Sequence, residues 1–230
     1  MRILLVCSLL LALSVNVLAQ NYPSRDNAEL AQMYKEDQAD RTAGTRIDWS
    51  KVAERDRQRE ERVREMLDEG LVMTSNDYAN AAMIFQHGND TVASAMAVKM
   101  MRTAVKLDPT RSKWLLAAAI DRDLMYRNKP QIYGTQYRRS GEGEWVLYTI
   151  DKDAVTDEER QEYNVPTLAQ TYARLELMNS KQLMELYKSG KSVEEVVAFV
   201  RDNYDKDSGY DLTENGVNNF GYELMGEGHD

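Results

Sequence analysis

A chain of 230 residues is long enough to bury a full core as one domain with a small appended unit. With 29 Lys and Arg against 38 Asp and Glu it carries a formal charge of -9, an acidic field that disfavours nucleic acid and anionic membrane as partners. A single cysteine, Cys7, excludes an intrachain disulfide, and stability must come from packing.

The N-terminus reads as a secretory signal over residues 1–19. Arg2 is a minimal charged region, Ile3 to Val17 is apolar, and Val17-Leu18-Ala19 offers a small-residue cleavage site before Gln20. The run is shorter than the roughly 20 apolar residues of a bilayer span, and no second run follows. Cys7 stands behind Val6, too early and in the wrong context for lipid attachment. Cleavage removes Arg2 and Cys7, leaving 28 basic against 38 acidic residues and a charge of -10. The expectation is a soluble periplasmic or secreted bacterial protein with no membrane span after cleavage.

Residues 20–180 are expected to form a helical domain. Over 26–43, Leu30, Met33, Tyr34 and Asp37 share one face, which sets an acid on the apolar stripe. Gly44 and Thr45 break the pattern, and Asp48 or Ser50 caps a second helix that runs to about Glu69 and stops at Gly70. Its narrow stripe, Val52, Asp56, Arg59, Val63, Met66 and Leu67, again carries an inward acid, for which an intrahelical pair with Arg59 is the plain account. Ser75, Asn76 or Asp77 caps a third helix that ends near Gly88, with Gln86 and His87 on its last turn. Asp90 caps a fourth, rich in Ala and Met, that closes at Leu107-Asp108-Pro109. From Ala79 to Pro109 the spacing of Ala79, Ala82, Phe85, Ala97 and Ala104 resembles a tetratricopeptide-type helical hairpin.

A fifth helix, about Ser112 to Arg127, is the most apolar and is expected at the centre. Trp114, Ala117, Ala118, Asp121 and Met125 share a face, so the Asp121 carboxylate must find donors. After Pro130 the pattern alternates: Gln131 to Arg138 and Trp145 to Ile150 read as strands of a β-hairpin over about 131–150, joined by Ser140-Gly141-Glu142-Gly143. Thr156 with Glu159 reads as a capping box, and Pro166 as the start of a helix. Residues 181–230 form a small C-terminal helical segment whose Asp205, Asp207, Gly209 and Asp211 lack the Gly and Glu of a calcium-binding loop, since Tyr210 and Gly216 stand there. The fold class is therefore mostly α, an antiparallel tetratricopeptide-like helical array with one inserted β-hairpin.

Gln86-His87, Asp121-Arg122 and Gln131-x-Tyr133-Gly134-Thr135-Gln136, in that order, resemble a bacterial family of export-associated helical proteins marked by these motifs, over roughly residues 28–175. That family's function is not established, so the resemblance implies a fold and a grouping of residues and no reaction. Physically the group makes sense as one polar site. His87 suits acid or base work near neutrality, with Asp121, Asp37 or Asp56 to orient it. Arg122 suits a carboxylate or phosphate, and Gln86, Gln131, Tyr133, Thr135 and Gln136 offer neutral hydrogen bonds. The same residues also suit a buried network that fixes the hairpin's register.

No cysteine remains after cleavage for a thiol nucleophile, no His pair for zinc, no glycine-rich phosphate loop and no Gly-x-Ser-x-Gly elbow, so no metal or cofactor is expected. The expected role is an exported binding or interaction protein whose polar pocket takes a protein, peptide or small polar ligand. The alternative is a small acid-base hydrolase with His87 and Asp121 as catalytic candidates.

Overall fold

The computed structural model describes residues 25–42 and 47–227; the stretch expected as a signal, with Cys7, the expected break at Gly44 and Thr45, and the last three residues lie outside the described residues. Ten helices and one two-stranded antiparallel hairpin occur among the described residues: α1 Ala28–Thr42, α2 Trp49–Asp68, α3 Ser75–Gln86, α4 Thr91–Leu107, α5 Trp114–Tyr126, β1 Tyr137–Arg139, β2 Trp145–Leu147, α6 Asp157–Glu162, α7 Leu168–Asn179, α8 Leu183–Lys188, α9 Val193–Asn203 and α10 Glu214–Gly226. None of the described helices is long and apolar enough to cross a membrane.

The periodicities place the faces as expected. Leu30 and Asp37 are the buried residues of α1, and Val52, Arg59, Val63 and Met66 those of α2. Asp48 caps α2 by accepting from the Lys51 amide, and Gly70 ends it in the left-handed region at φ +72°. α3 differs by one residue at its start. Its cap is Thr74 rather than Ser75, because the Thr74 hydroxyl accepts from the Asp77 amide while the Asp77 carboxylate accepts from the amides of Asn27, Met73 and Thr74. Asp77 thereby ties the entry of α1 to the start of α3.

α3 and α4 form a tight antiparallel hairpin, and α4 then packs on α5. Ala82, Ala93, Ala97 and Ala104 are fully buried, and such small side chains let the axes approach closely. Leu30, Met66, Phe85, Met101 and Leu116 fill the space between them, each contributing about 1.5–3 kcal/mol by leaving water. Small-residue packing of this kind is open to any antiparallel helix pair, and nothing in it marks a repeating unit. Within α5, Leu116 to Ala119 and Asp121 are buried. Trp114 is the exception to the expected face: it is the first helical residue, at the open end of the stripe, and stands 45% exposed.

The hairpin is shorter than the alternation predicts. β1 covers Tyr137–Arg139, paired in register Tyr137↔Leu147 and Arg139↔Trp145, whereas Gln131 to Gln136 form a looped segment that meets the second strand's chain at its two ends, through a Gln131↔Ile150 bridge and the Tyr148 amide on the Gln136 carbonyl. Two starts after the hairpin also differ. Thr156 caps α6, but the Glu159 side chain turns to the Tyr133 hydroxyl instead of closing the box. α7 starts at Leu168 with Thr167 as cap and Gln170 closing that box, which leaves Pro166 ahead of the cap.

Helices α8, α9 and α10 bury their own apolar cluster of Leu183, Leu186, Val196, Phe220 and Leu224, separate from the main core. In the loop before α10, Asp207 accepts from the Gly209 amide and Asp211 from the amide and hydroxyl of Thr213, which are ordinary turn contacts. Among the described residues no three His, Cys, Asp or Glu side chains converge so as to hold a metal ion.

Candidate functional site

The residues predicted as one polar group fall into two layers joined through Arg122 rather than into one pocket. The inner layer is centred on Asp121, which has no exposed surface. Its Oδ1 accepts from the amides of Ile132 (2.8 Å) and Tyr133 (2.9 Å), and its Oδ2 from the amide (2.9 Å) and hydroxyl (2.8 Å) of Thr135. One carboxylate thus takes three consecutive-segment amides that would otherwise seek a strand partner. This competition explains why the chain from Ile132 to Thr135 leaves the sheet.

Gln131 completes the wrap. Its fully buried carboxamide donates to the carbonyls of Gln136 (3.0 Å) and Tyr148 (2.8 Å) and accepts from the Gln136 amide (2.9 Å). Gly134, at φ +87°, turns the segment where a side chain would press on Thr171. Tyr133 is buried, its ring stacked on Tyr163 at 4.8 Å and its hydroxyl donating to Glu159 at 2.9 Å. Burial, then the bonds with Tyr163 and Glu159, push that phenol well above its ordinary value, so it stays a neutral donor. Arg160, unforeseen in the sequence, closes the layer from α6: it is 1% exposed and donates to the carbonyls of Val155 and Ile132. Its run, Asp-Glu-Glu-Arg-Gln-Glu, looks fully solvated, and no sequence signal marks the arginine as inward.

The outer layer surrounds His87. The ring Nδ1 lies 2.9 Å from Oδ1 of Asp37, a carboxylate only 1% exposed that also accepts from Arg41 (2.9 Å) and Gln38 (2.7 Å). An ionised carboxylate only accepts, so Nδ1 is the donor and Nε2 carries the lone pair in the neutral ring. Nε2 has no hydrogen-bond partner among the described residues. Of the three aspartates considered for the orienting role, Asp37 fills it. Asp56 pairs with Arg59 (3.0 Å) and with Arg41 (2.6 Å), and Asp121 is committed to the inner layer. Asp40 joins the same network through Arg55 and Arg59.

Arg122 links the layers. Its Nη1 donates to the carbonyl of Gln86 at 2.6 Å, one residue before His87, and its Nε to Oε1 of Gln136 at 3.3 Å. No carboxylate pairs with it among the described residues, and burial holds its guanidinium below the ordinary value, with nearby Arg41 acting in the same direction. Gln86 itself is buried, donating to the Ala118 carbonyl, and its Oε1 has no partner among the described residues.

What opens to solvent is the His87 side. A cleft of about 780 Å³ lies between α2 and the α3–α4 turn, lined by His87, Asn89, Asp56, Glu60 and Arg64 with further α2 residues at its rim. Comparison with family models, curated proteins and solved structures finds no match for this chain. The geometry therefore stands alone. Of the predicted ligand-binding residues, His87 lines this cleft, whereas Gln86, Asp121, Gln131, Tyr133 and Gln136 are buried within the packing, and Thr135 is turned onto Asp121. Glu60 and Arg64 on α2 were missed, since a helix charged nearly all round gives no pattern that singles out the residues facing a turn, and Asn89 was missed within that turn.

Proposed function

We propose that the protein is an exported bacterial binding protein whose helical array, tetratricopeptide-like in its α3–α4 pair, presents a polar ligand site at His87. The observation that carries this is the His87–Asp37 pair at the wall of an open, charged cleft. A buried acid fixes the imidazole so that Nε2 is the group left for a ligand, and acids and arginines on α2 supply both signs of charge around it. The wall suits a small polar ligand or a peptide bearing donors to Nε2. The Asp121 layer serves that site indirectly, by fixing the segment whose Gln136 receives Arg122, the residue that in turn holds the Gln86 carbonyl.

The test is a thermal-shift screen of the exported protein against envelope-derived sugars, peptides and nucleotides. A ligand that binds the folded state raises the midpoint, and His87→Ala abolishes that rise while the unliganded protein still unfolds cooperatively. A rise that survives His87→Ala removes the cleft from the binding site.

A second reading follows from the same pair. A carboxylate on Nδ1 sets Nε2 to accept a proton from water, the arrangement of a general base in a small hydrolase. Its signature is turnover of chromogenic esters, glycosides or peptide anilides that His87→Ala eliminates; absence of turnover across these classes leaves binding alone.

A further inference from the structure

A second concavity lies apart from His87, between α1, α3 and the start of α5, with a volume of about 530 Å³. Its apolar surface comes from Met83, Met101 and Leu115 beside the rings of Tyr34 and Trp114. Trp114 is the aromatic side chain that left the expected buried face, and its 45% exposure is at this groove. The polar groups beside it are Asn80, Asp108 and Arg111.

Those three differ from the charges of the His87 cleft, which are largely spent on each other. Arg111 is oriented by neutral partners, donating through Nε to the Ser75 hydroxyl at 2.9 Å and through Nη2 to the Asn76 side-chain oxygen. No carboxylate lies within ion-pair distance of it among the described residues, and its Nη1 is unengaged there. Asp108 accepts from the amide (3.0 Å) and hydroxyl (2.6 Å) of Thr110 through Oδ1 only. Those bonds hold its carboxyl below the ordinary range, so it stays charged. The Asn80 carboxamide makes no hydrogen bond among the described residues. The groove therefore offers an oriented cation, an anion with a free oxygen, an idle amide and an apolar surface with aromatic neighbours, and it carries no net formal charge.

The geometry points to a binding site in this groove for a small zwitterion with an apolar side chain, an α-amino acid or dipeptide, its carboxylate on Arg111, its ammonium on Asp108 and its side chain against Met83, Leu115 and Trp114. A neutral sugar would bring neither side chain an opposite charge, and a fatty acid would leave Asp108 facing its carboxylate. The volume lies within the range of small-ligand sites and exceeds what a single side chain fills, which leaves room for a second residue whose amide meets Asn80.

Trp114 is a built-in reporter. In the full chain carrying Trp49→Phe and Trp145→Phe it is the sole tryptophan, and its emission is titrated with leucine, with alanyl-leucine, with the uncharged N-acetyl-leucine amide and with N-acetylglucosamine. The expected result is a saturable change with leucine or alanyl-leucine; the two probes separate a free amino acid from a dipeptide. The blocked probe binds about tenfold more weakly or worse, as loss of charge-assisted bonds requires. Arg111→Gln and Asp108→Asn each weaken the zwitterion to a similar degree, Arg111→Lys recovers part of it, and His87→Ala leaves it unchanged. No saturable response to either zwitterion, an equal response to the blocked probe, or saturation by the sugar in their place overturns the assignment. Because His87→Ala is silent here and decisive for the other cleft, failure of one site is distinguishable from failure of the other.

Discussion

Asp121 and Thr135 are joined twice through one carboxylate oxygen, which accepts the Thr135 amide at 2.9 Å and its hydroxyl at 2.8 Å. The other oxygen holds Ile132 and Tyr133, so four donors rest on a side chain with no exposed surface. Asp121→Asn keeps the shape but turns an NH₂ group towards donors. The loss of charge-assisted bonds and the stranded amides together cost about 2–4 kcal/mol. Urea unfolding monitored at two wavelengths measures this. A midpoint within error of the parent would show that the loop is held by something other than this carboxylate.

On the far edge of the hairpin, Asn179 of α7 acts as a strand in miniature. Its Oδ1 accepts from the Trp145 amide at 2.7 Å and its Nδ2 donates to the Trp145 carbonyl at 2.9 Å. Asn179→Ala exposes that edge to water and lowers stability by about 1 kcal/mol, less than the Asp121 change because solvent replaces the lost partner. Hydrogen exchange is the discriminating measurement: the Trp145 amide speeds up in the variant, while amides in α4 and α5 keep their rates.

The helices were legible because apolar spacing and caps agree with each other. Asp48 and Asp90 cap helices where they were expected to, and Gly70 and Gly190 turn the chain in the left-handed region at the ends of α2 and α8. Asp37 was legible as an inward acid from its place on the stripe of α1, although its pairing with His87, 50 residues away, was one of three options in the sequence. The strand from Gln131 was misread because alternation continues through that segment regardless of where its amides bond. A side chain on another helix decided their partner, and local pattern carries no trace of that. Arg160 was invisible for the same kind of reason, since its acceptors are backbone carbonyls that no residue type advertises.

Two glycines, one in a tight turn and one on an open helix face, separate packing from backbone entropy. A Cβ at Gly88 would sit 2.2 Å from that of Ala93, in a turn whose own carbonyl accepts from the Tyr126 hydroxyl. Gly88→Ala therefore forces α3 and α4 apart and costs about 1–3 kcal/mol, and it disturbs His87 next to it. Gly221, inside α10, has open space around its absent side chain. Gly221→Ala stabilises by about 0.5–1 kcal/mol. Thermal midpoints that move in opposite directions bear out both assignments, and a fall at both positions would place an unseen neighbour over α10.

Asp40 provides the pH test of the α1–α2 network. Burial raises its carboxyl, but the bonds from Arg55, at 2.8 Å through two nitrogens, and from Arg59 outweigh it and leave the group below its ordinary 3.8. With the folded value below the unfolded one, the unfolded chain takes the proton first as pH falls. The stabilisation is thus complete above the ordinary value and is lost as pH drops through the lower, folded one. Asp26, held by Thr74 and Asn76, and Asp123, held by Arg127 and Ser94 against its burial, act in the same direction. The urea midpoint of the parent is expected to decline as pH is taken from about 5 towards 2. Asp40→Asn starts lower at neutral pH, because Arg55 and Arg59 lose their shared acceptor, and then declines less steeply, because the amide has no proton to take up. Two curves that fall in parallel would show that Asp40 carries none of the acid sensitivity, and would move it to Asp26 and Asp123.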